Sequence, residues 1–270
     1  MNGDVAVLFT GQGSQYIEMG MELAAHYPIV QQTFDEADAI LEPLFQKKLT
    51  DYIRRDPNTM ETLQFAQLRE TQIAQPATLT IDIALYRLLK SFGLKAHRVA
   101  GHSLGEYAAC VAAEVMSFKD ALLAVCARGK GMAAIELEDS GTMASIGTHP
   151  DKVRAILKDI DGYVIAANMN APSQTVIAGE TAAMAEAITT FKSKGFMVQP
   201  LAVSHAFHTK LVSPASEPLR KVLNNLEISA PTIPINSNVT GEWYPSNADA
   251  IRDLLAMQVA SPVKWIKQVE

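Results

Sequence analysis

The chain has 270 residues, 48% of them hydrophobic and 19% charged, the balance of a well-cored globular protein rather than a disordered one. A formal charge of −6, against small basic clusters at Lys47-Lys48, Arg54-Arg55 and Lys192/Lys194, excludes the footprint of a general nucleic-acid binder. With no basic leader before an apolar run, no run of about eighteen apolar residues, and Cys110 and Cys126 in apolar segments without a CxxC pattern, neither secretion, a membrane span, a disulfide nor a metal site is expected; the setting reads as cytoplasmic and reducing.

In chain order, residues 5–9 (Val-Ala-Val-Leu-Phe) predict a strand that breaks into "TGQGSQYIEMG". The Gly11-Gln12-Gly13 turn lacks the third glycine of a dinucleotide loop, because Tyr16 stands there, and it lacks the Gly-Lys-Ser/Thr of a P-loop. It still asks for a tight turn with backbone N–H groups facing a cleft. Residues 15–26 and 28–46 read as helices, and 47–70 as a polar stretch turning at Asp56-Pro57-Asn58. A helix is expected from Gln75-Pro76 to a glycine stop at 93, then a short strand, a sharp turn and an Ala-rich helix in "HRVAGHSLGEYAACVAAEV", then a helix over 118–135. From there the rhythm changes. Strand 141–147, helix 150–160, strands 163–170 and 173–179, helix 181–195 and strand 196–203 give the order βαββαβ of a ferredoxin-like unit. The organisation expected is therefore a discontinuous large domain, 1–134 plus 206–270, carrying an inserted small domain over 135–205. No internal repeat or low-complexity tract interrupts it.

The turn at 101–105, Gly-His-Ser-Leu-Gly, matches G-x-S-x-G between a strand and a helix. Flanking glycines permit a turn tight enough to present the Ser103 hydroxyl at a helix N-terminus, where an amide and the helix dipole face a developing oxyanion. A plain helix cap would not need glycine on both sides. A serine nucleophile needs a base, and six histidines are available. His26, His97 and His149 lie in polar surroundings and read as surface residues, while His102 is expected to point away from its neighbour. "VSHAFHT" (203–209) offers His205 and His208, and spacing does not choose between them.

The ordered set "GQGSQ", "TQIAQPA", "GHSLGE", "ARGKGM", "VSHAFHT" and "MQVASPVKW" resembles the malonyl-CoA:acyl-carrier-protein transacylases, including acyltransferase domains of fatty acid and polyketide synthases. The resemblance runs from residue 5 to 270. It implies an α/β-hydrolase-like large domain with a parallel sheet and a ferredoxin-like insertion. It implies Ser103 as nucleophile, His208 as base with no acidic third member, a backbone carbonyl near Gln258 orienting the imidazole, and the amides of Gln12 and Leu104 as oxyanion donors. Arg128, a lone cation in an apolar helix, would bind the malonyl carboxylate rather than snorkel to the surface. "HAFH" resembles malonyl-selecting domains, so Phe207 with His205 would exclude a C2 methyl; Gln75 and Asn168 are lesser candidates for polar contacts near the pocket. The substrate implied is malonyl-CoA, the partner an acyl carrier protein bearing phosphopantetheine, with neighbouring synthase domains a further expected partner and no cofactor or metal bound. Two departures stand out: Thr10 occupies a position where proline is more usual, and relatives continue beyond "SPVKWIKQVE". An acyl hydrolase of the same fold and a silent carrier-docking domain are the competing readings; Arg128 argues against the first, and the intact Ser103 and His208 against the second.

Overall fold

The computed structural model describes residues 3–270. Strand β1 (Ala6–Phe9) runs parallel to β2 (Arg98–Gly101), and Val99 forms a further parallel bridge to Ile235, so three stretches lie side by side. The fold is mixed α/β around this parallel sheet. Between the two strands come α1 (Met21–His26), α2 (Pro28–Phe45), α3 (Thr50–Ile53), α4 (Glu61–Arg69) and α5 (Thr71–Ser91). Helices α6 (Gly105–Ala112) and α7 (Phe118–Ala133) follow β2. α5 packs on α2, α6 and α7, and α6 on both strands.

Several boundaries differ from the sequence-based expectation for local reasons. The helix expected at residue 15 begins only at Met21, since Glu18 and Gly20 both adopt positive φ (69° and 74°) and break the turn before it. α5 begins at Thr71 rather than Gln75, leaving Pro76 inside it, where it offers no N–H to the carbonyl one turn earlier. Its end is as expected. Gly93 (φ 92°) closes a Schellman motif, with Leu94 N donating to Leu89 O and Gly93 N to Lys90 O. The polar stretch 47–70 is not plain loop: buried Asp38 accepts from the Thr50 amide at 2.9 Å and hydroxyl at 2.6 Å, which starts α3 and pins the stretch to α2.

The segment after α7 contains β3 (Thr142–Ile146), α8 (Pro150–Leu157), β4 (Val164–Ala171), β5 (Gln174–Gly179), α9 (Thr181–Ser193) and β6 (Val198–Leu201). Its four strands form one antiparallel sheet in the order β4-β5-β3-β6. Its core, with Ile146, Val153, Ile177, Met184 and Phe191 buried, is a cluster separate from the larger one around Phe34, Leu41, Leu79, Tyr107 and Leu122. The chain then returns through a 3₁₀ turn (Lys210–Ala215) into α10 (Ser216–Leu223), α11 (Ala248–Gln258) and α12 (Trp265–Val269). The return is stitched to the antiparallel sheet: Met169 N donates to Val263 O and Val263 N to Ala167 O. Among the described residues no helix is long and apolar enough to cross a membrane.

Candidate active site

The strand–turn–helix at 98–112 is built by glycines that nothing larger could replace. A Cβ on Gly101 would lie 1.9 Å from the Gly105 carbonyl oxygen, and one on Gly105 would lie 2.4 Å from that of Thr10. Between them Ser103 is held at φ 52°, the left-handed region that costs a non-glycine residue about 1–2 kcal/mol. Asn238 grips the turn on both sides: its Oδ1 accepts from Ser103 N at 2.7 Å and its Nδ2 donates to Gly101 O at 2.7 Å. The hydroxyl thereby faces a cavity of about 590 Å³ lined from both halves of the molecule, including Gln12, His102, Arg128, Asn168, Phe207 and His208.

Ser103 Oγ and His208 Nε2 are 2.7 Å apart. On the other side of the ring, Nδ1 lies 3.1 Å from the carbonyl oxygens of both Gln258 and Ser261. Two acceptors there require the proton on Nδ1, which leaves the Nε2 lone pair for the serine hydroxyl. Burial, helped by nearby Arg128 and His102, pushes the His208 pKa down to about 3, so the ring is a neutral base at physiological pH. Like the serine, His208 has positive φ, at 61°.

Gln12 lines the cavity from the Gly11–Gly13 turn, whose Gly11 packs so close to His102 that a Cβ would lie 2.6 Å from the His102 carbonyl oxygen. Leu104 is the N-cap residue of α6, and its own N–H has no intrahelical acceptor. Gln12 and Leu104 thus lie on adjacent turns beside the serine. Arg128 is 2% exposed, the largest fully buried side chain, and lines the same cavity. Its Nη2 donates to Gln258 Oε1 at 3.2 Å, while Nε has no partner. Among the described residues no ion pair engages its guanidinium; burial lowers its pKa, as expected for a cation held from water, but an arginine stays charged. Such a group can receive an anion that enters the cavity.

The remaining sequence candidates fall in different places. Phe207 and Asn168 line the cavity. His205 does not: its Nδ1 meets Ser204 Oγ at 3.0 Å, its ring sits 6.0 Å from that of Phe207, and it touches the acyl space only through that ring. Gln75 is fully buried behind the wall, 3.4 Å from the Gln12 side chain, with its own Oε1 unpartnered. Gln258 contributes more than the backbone carbonyl expected of it, since its amide also donates to Ser103 O at 2.8 Å and to Glu106. His102, expected to point away, lines the cavity instead, with Nε2 2.7 Å from Asn170 Oδ1 and its ring edge-on to Trp265.

Sequence reading missed Glu106, Asn238 and Tyr244. Glu106 was discoverable by the argument applied to Arg128, an ionisable residue alone in an Ala-rich helix. Asn238 and Tyr244 gave no such signal, because the contacts that matter are over a hundred residues away in the chain. Among the described residues no group of three or more His, Cys, Asp or Glu side chains could hold a metal ion.

A serine hydroxyl on a strained elbow, 2.7 Å from a neutral imidazole, is an arrangement suited to nucleophilic acyl transfer. The chain belongs to the acyltransferase family: residues 7–263 match the family described as "Acyl transferase domain". It is 40% identical over 270 residues to the malonyl CoA-acyl carrier protein transacylase of Escherichia coli (strain K12), covering 98% of this chain and 84% of that one. It superimposes with a TM-score of 0.90 on the acyl-carrier-protein S-malonyltransferase of Burkholderia pseudomallei 1710b, at 37% identity over 99% of this chain and 84% of the other. A type II polyketide-synthase malonyl-transacylase, solved in complex with its acyl-carrier protein, is 35% identical with a TM-score of 0.89, over 99% and 84%. The kinship inferred from six short motifs is thus borne out over nearly the whole chain.

Proposed function

We propose that this chain is a malonyl-CoA:acyl-carrier-protein S-malonyltransferase of fatty acid or polyketide synthesis. The observation that carries the reading is the unpaired, buried guanidinium of Arg128 in the same cavity as the 2.7 Å Ser103–His208 pair. The guanidinium binds the malonyl carboxylate, replacing a hydration shell that the buried acid would otherwise lose. His208 Nε2 takes the Ser103 proton as Oγ attacks the thioester carbonyl; the amides of Gln12 and Leu104 hold the oxyanion, each contributing about 3–4 kcal/mol. CoA departs as the thiol with the proton from His208, leaving a malonyl-serine ester. The phosphopantetheine thiol of the carrier protein then gives its proton to His208 and attacks the ester, and Ser103 is regenerated. No cofactor takes part. The Gln258 and Ser261 carbonyls stabilise the imidazolium that forms transiently and occupy the place of a triad acid.

Phe207 fills the space a C2 methyl would need, with His205 behind it as support, discriminating by about 1–3 kcal/mol. Asn168 and Gln75 complete the polar lining, the latter by holding the Gln12 side chain. The architectural reading that goes with this is an α/β-hydrolase-like domain of residues 1–134 and 206–270, with a ferredoxin-like insertion at 135–205. Two separate apolar cores and the strand order β4-β5-β3-β6 support it. Buried free thiols at Cys110 and Cys126 suit the cytoplasm.

Intact-protein mass spectrometry with malonyl-, methylmalonyl- and acetyl-CoA tests the reading. A malonyl adduct should appear on the native chain, discharge on adding carrier protein, and be absent from Ser103→Ala. Arg128→Ala should lose malonyl transfer far more than acetyl transfer; equal losses would remove the clamp. An adduct that decays in water as fast as with carrier would instead favour a hydrolase.

A further inference from the structure

Glu106 is wholly buried one turn from the nucleophile, in the first turn of α6. A carboxylate in that position is costly unless every lone pair is used. Here three donors meet it: Oε1 accepts from the Tyr244 hydroxyl at 2.5 Å and from Asn238 N at 3.2 Å, and Oε2 accepts from Gln258 Nε2 at 2.6 Å. Gln258 in turn presents Oε1 to Arg128 Nη2 at 3.2 Å. An amide between a carboxylate, which only accepts, and a guanidinium, which only donates, has one orientation available: nitrogen toward Glu106, oxygen toward Arg128.

We propose that Glu106 is the positioning residue of the carboxylate clamp, fixing the Gln258 amide so that its oxygen aims the Arg128 guanidinium at the acyl group's far end. The inference rests on Arg128 being that clamp. Glu106 touches neither substrate nor reacting atoms. Were it neutral with an N–H or O–H toward Gln258, only the Ser103 carbonyl would hold the amide nitrogen, the amide would lose its fixed orientation, and the guanidinium would lose the acceptor that aims it. The loss would fall on acyl groups that carry a carboxylate and spare those that do not, a selectivity that a merely structural residue would not move.

Burial pushes the Glu106 pKa up to about 7, so the native protein crosses from one form to the other within a workable range. The titratable groups facing it are Tyr107 and Cys110 on its own helix, Tyr244 opposite, and Arg128 from α7. The tyrosines and the cysteine are pushed up by burial and Arg128 stays charged, while His208 is pushed down to about 3. Asp82, also pushed up to about 7, bonds to Thr10 and not to Glu106, Gln258 or Arg128, so a change near neutrality in the malonyl-over-acetyl ratio belongs to Glu106.

The test measures kcat and KM for malonyl-CoA and acetyl-CoA from pH 5 to 8.5 in wild type, Glu106→Gln and Tyr244→Phe. In wild type the malonyl-over-acetyl preference should fall on the acid side, with the change near pH 7 and carried by the malonyl KM. In E106Q the preference should be about ten- to hundredfold lower and flat with pH, the size expected for a lost hydrogen bond to a charged group. Y244F should melt at a lower temperature and keep the wild-type preference at pH 8.5, but its change should move to higher pH, because the lost hydroxyl bond is one that holds the Glu106 pKa down. At pH 8.5 a preference in E106Q within about twofold of wild type, or a wild-type preference that does not change with pH, overturns the proposal; the wild-type profile decides alone should E106Q not fold. If Arg128→Ala loses malonyl selectivity while E106Q keeps it, only the positioning role fails and the clamp stands.

Discussion

At φ 52° Ser103 occupies a backbone region that glycine enters freely and serine does not, and the elbow holds it there through the two contacts of Asn238. Strain of this kind has a measurable sign. Ser103→Gly and Ser103→Ala both lose the hydroxyl, but only glycine relaxes at positive φ; in thermal melts the glycine variant should be the more stable by about 1 kcal/mol. The flanking glycines behave oppositely. Gly105→Ala would drive a methyl into the Thr10 and Phe9 carbonyls, and should cost about 2–3 kcal/mol together with most of the acylation rate. Between the two histidines of "HAFH" the expected contrast is equally sharp. His208→Ala should remove acylation, whereas His205→Ala, whose ring contacts Ser204 and Phe207 outside the cavity, should retain much of it; steady-state rates with malonyl-CoA decide between them.

At the level of elements, much was legible and the reasons are local. The strands and helices of 141–203 could be read within a few residues, because alternating apolar runs, the Asn170-Ala171-Pro172 turn and glycines at 147, 162, 179 and 195 punctuate them. The polar stretch 47–70 was harder. Its α3 and α4 are short, and their start depends on Asp38, a side chain from another helix. Much the same divides the site. Ser103, His208 and Arg128 sit in short motifs or in conspicuous apolar contexts, so residue type and neighbours expose them. Glu106, Asn238 and Tyr244 act through contacts made only once α6, the 236–244 segment and α11 have packed together. Asn238→Ala should therefore lower kcat for every acyl donor alike, by releasing the elbow, and leave the malonyl-over-acetyl preference intact; the ratio of kcat/KM values for the two donors checks it.

Across the whole molecule, the buried ionisable groups give stability an opposing dependence on pH. Asp82 on α5 accepts from Thr10 Oγ1 at 3.0 Å, has its second oxygen unpartnered, and is pushed by burial up to about 7. Its native state thus holds a proton more tightly than the unfolded chain, so its contribution to stability is full below about pH 4 and lost as pH rises to about 7. His208 runs the other way: its native pKa is depressed, and stability falls as pH drops from about 6.5 toward about 3. Asp82→Asn removes the first slope, so the variant should melt well above wild type at pH 8 and close to it at pH 4. Thr10 is what gives this carboxyl its one hydroxyl donor.

The seam between β4 and residues 261–263 has a consequence for how guests enter. The carbonyl of Ser261 steadies the base, and two residues later Val263 is laced into the antiparallel sheet by paired backbone bonds. Swinging the inserted sheet outward like a jaw would drag that anchor along and unseat the imidazole. On the proposed function the mouth should therefore keep one width, with the long, thin pantetheine arms of donor and acceptor threading inward in turn.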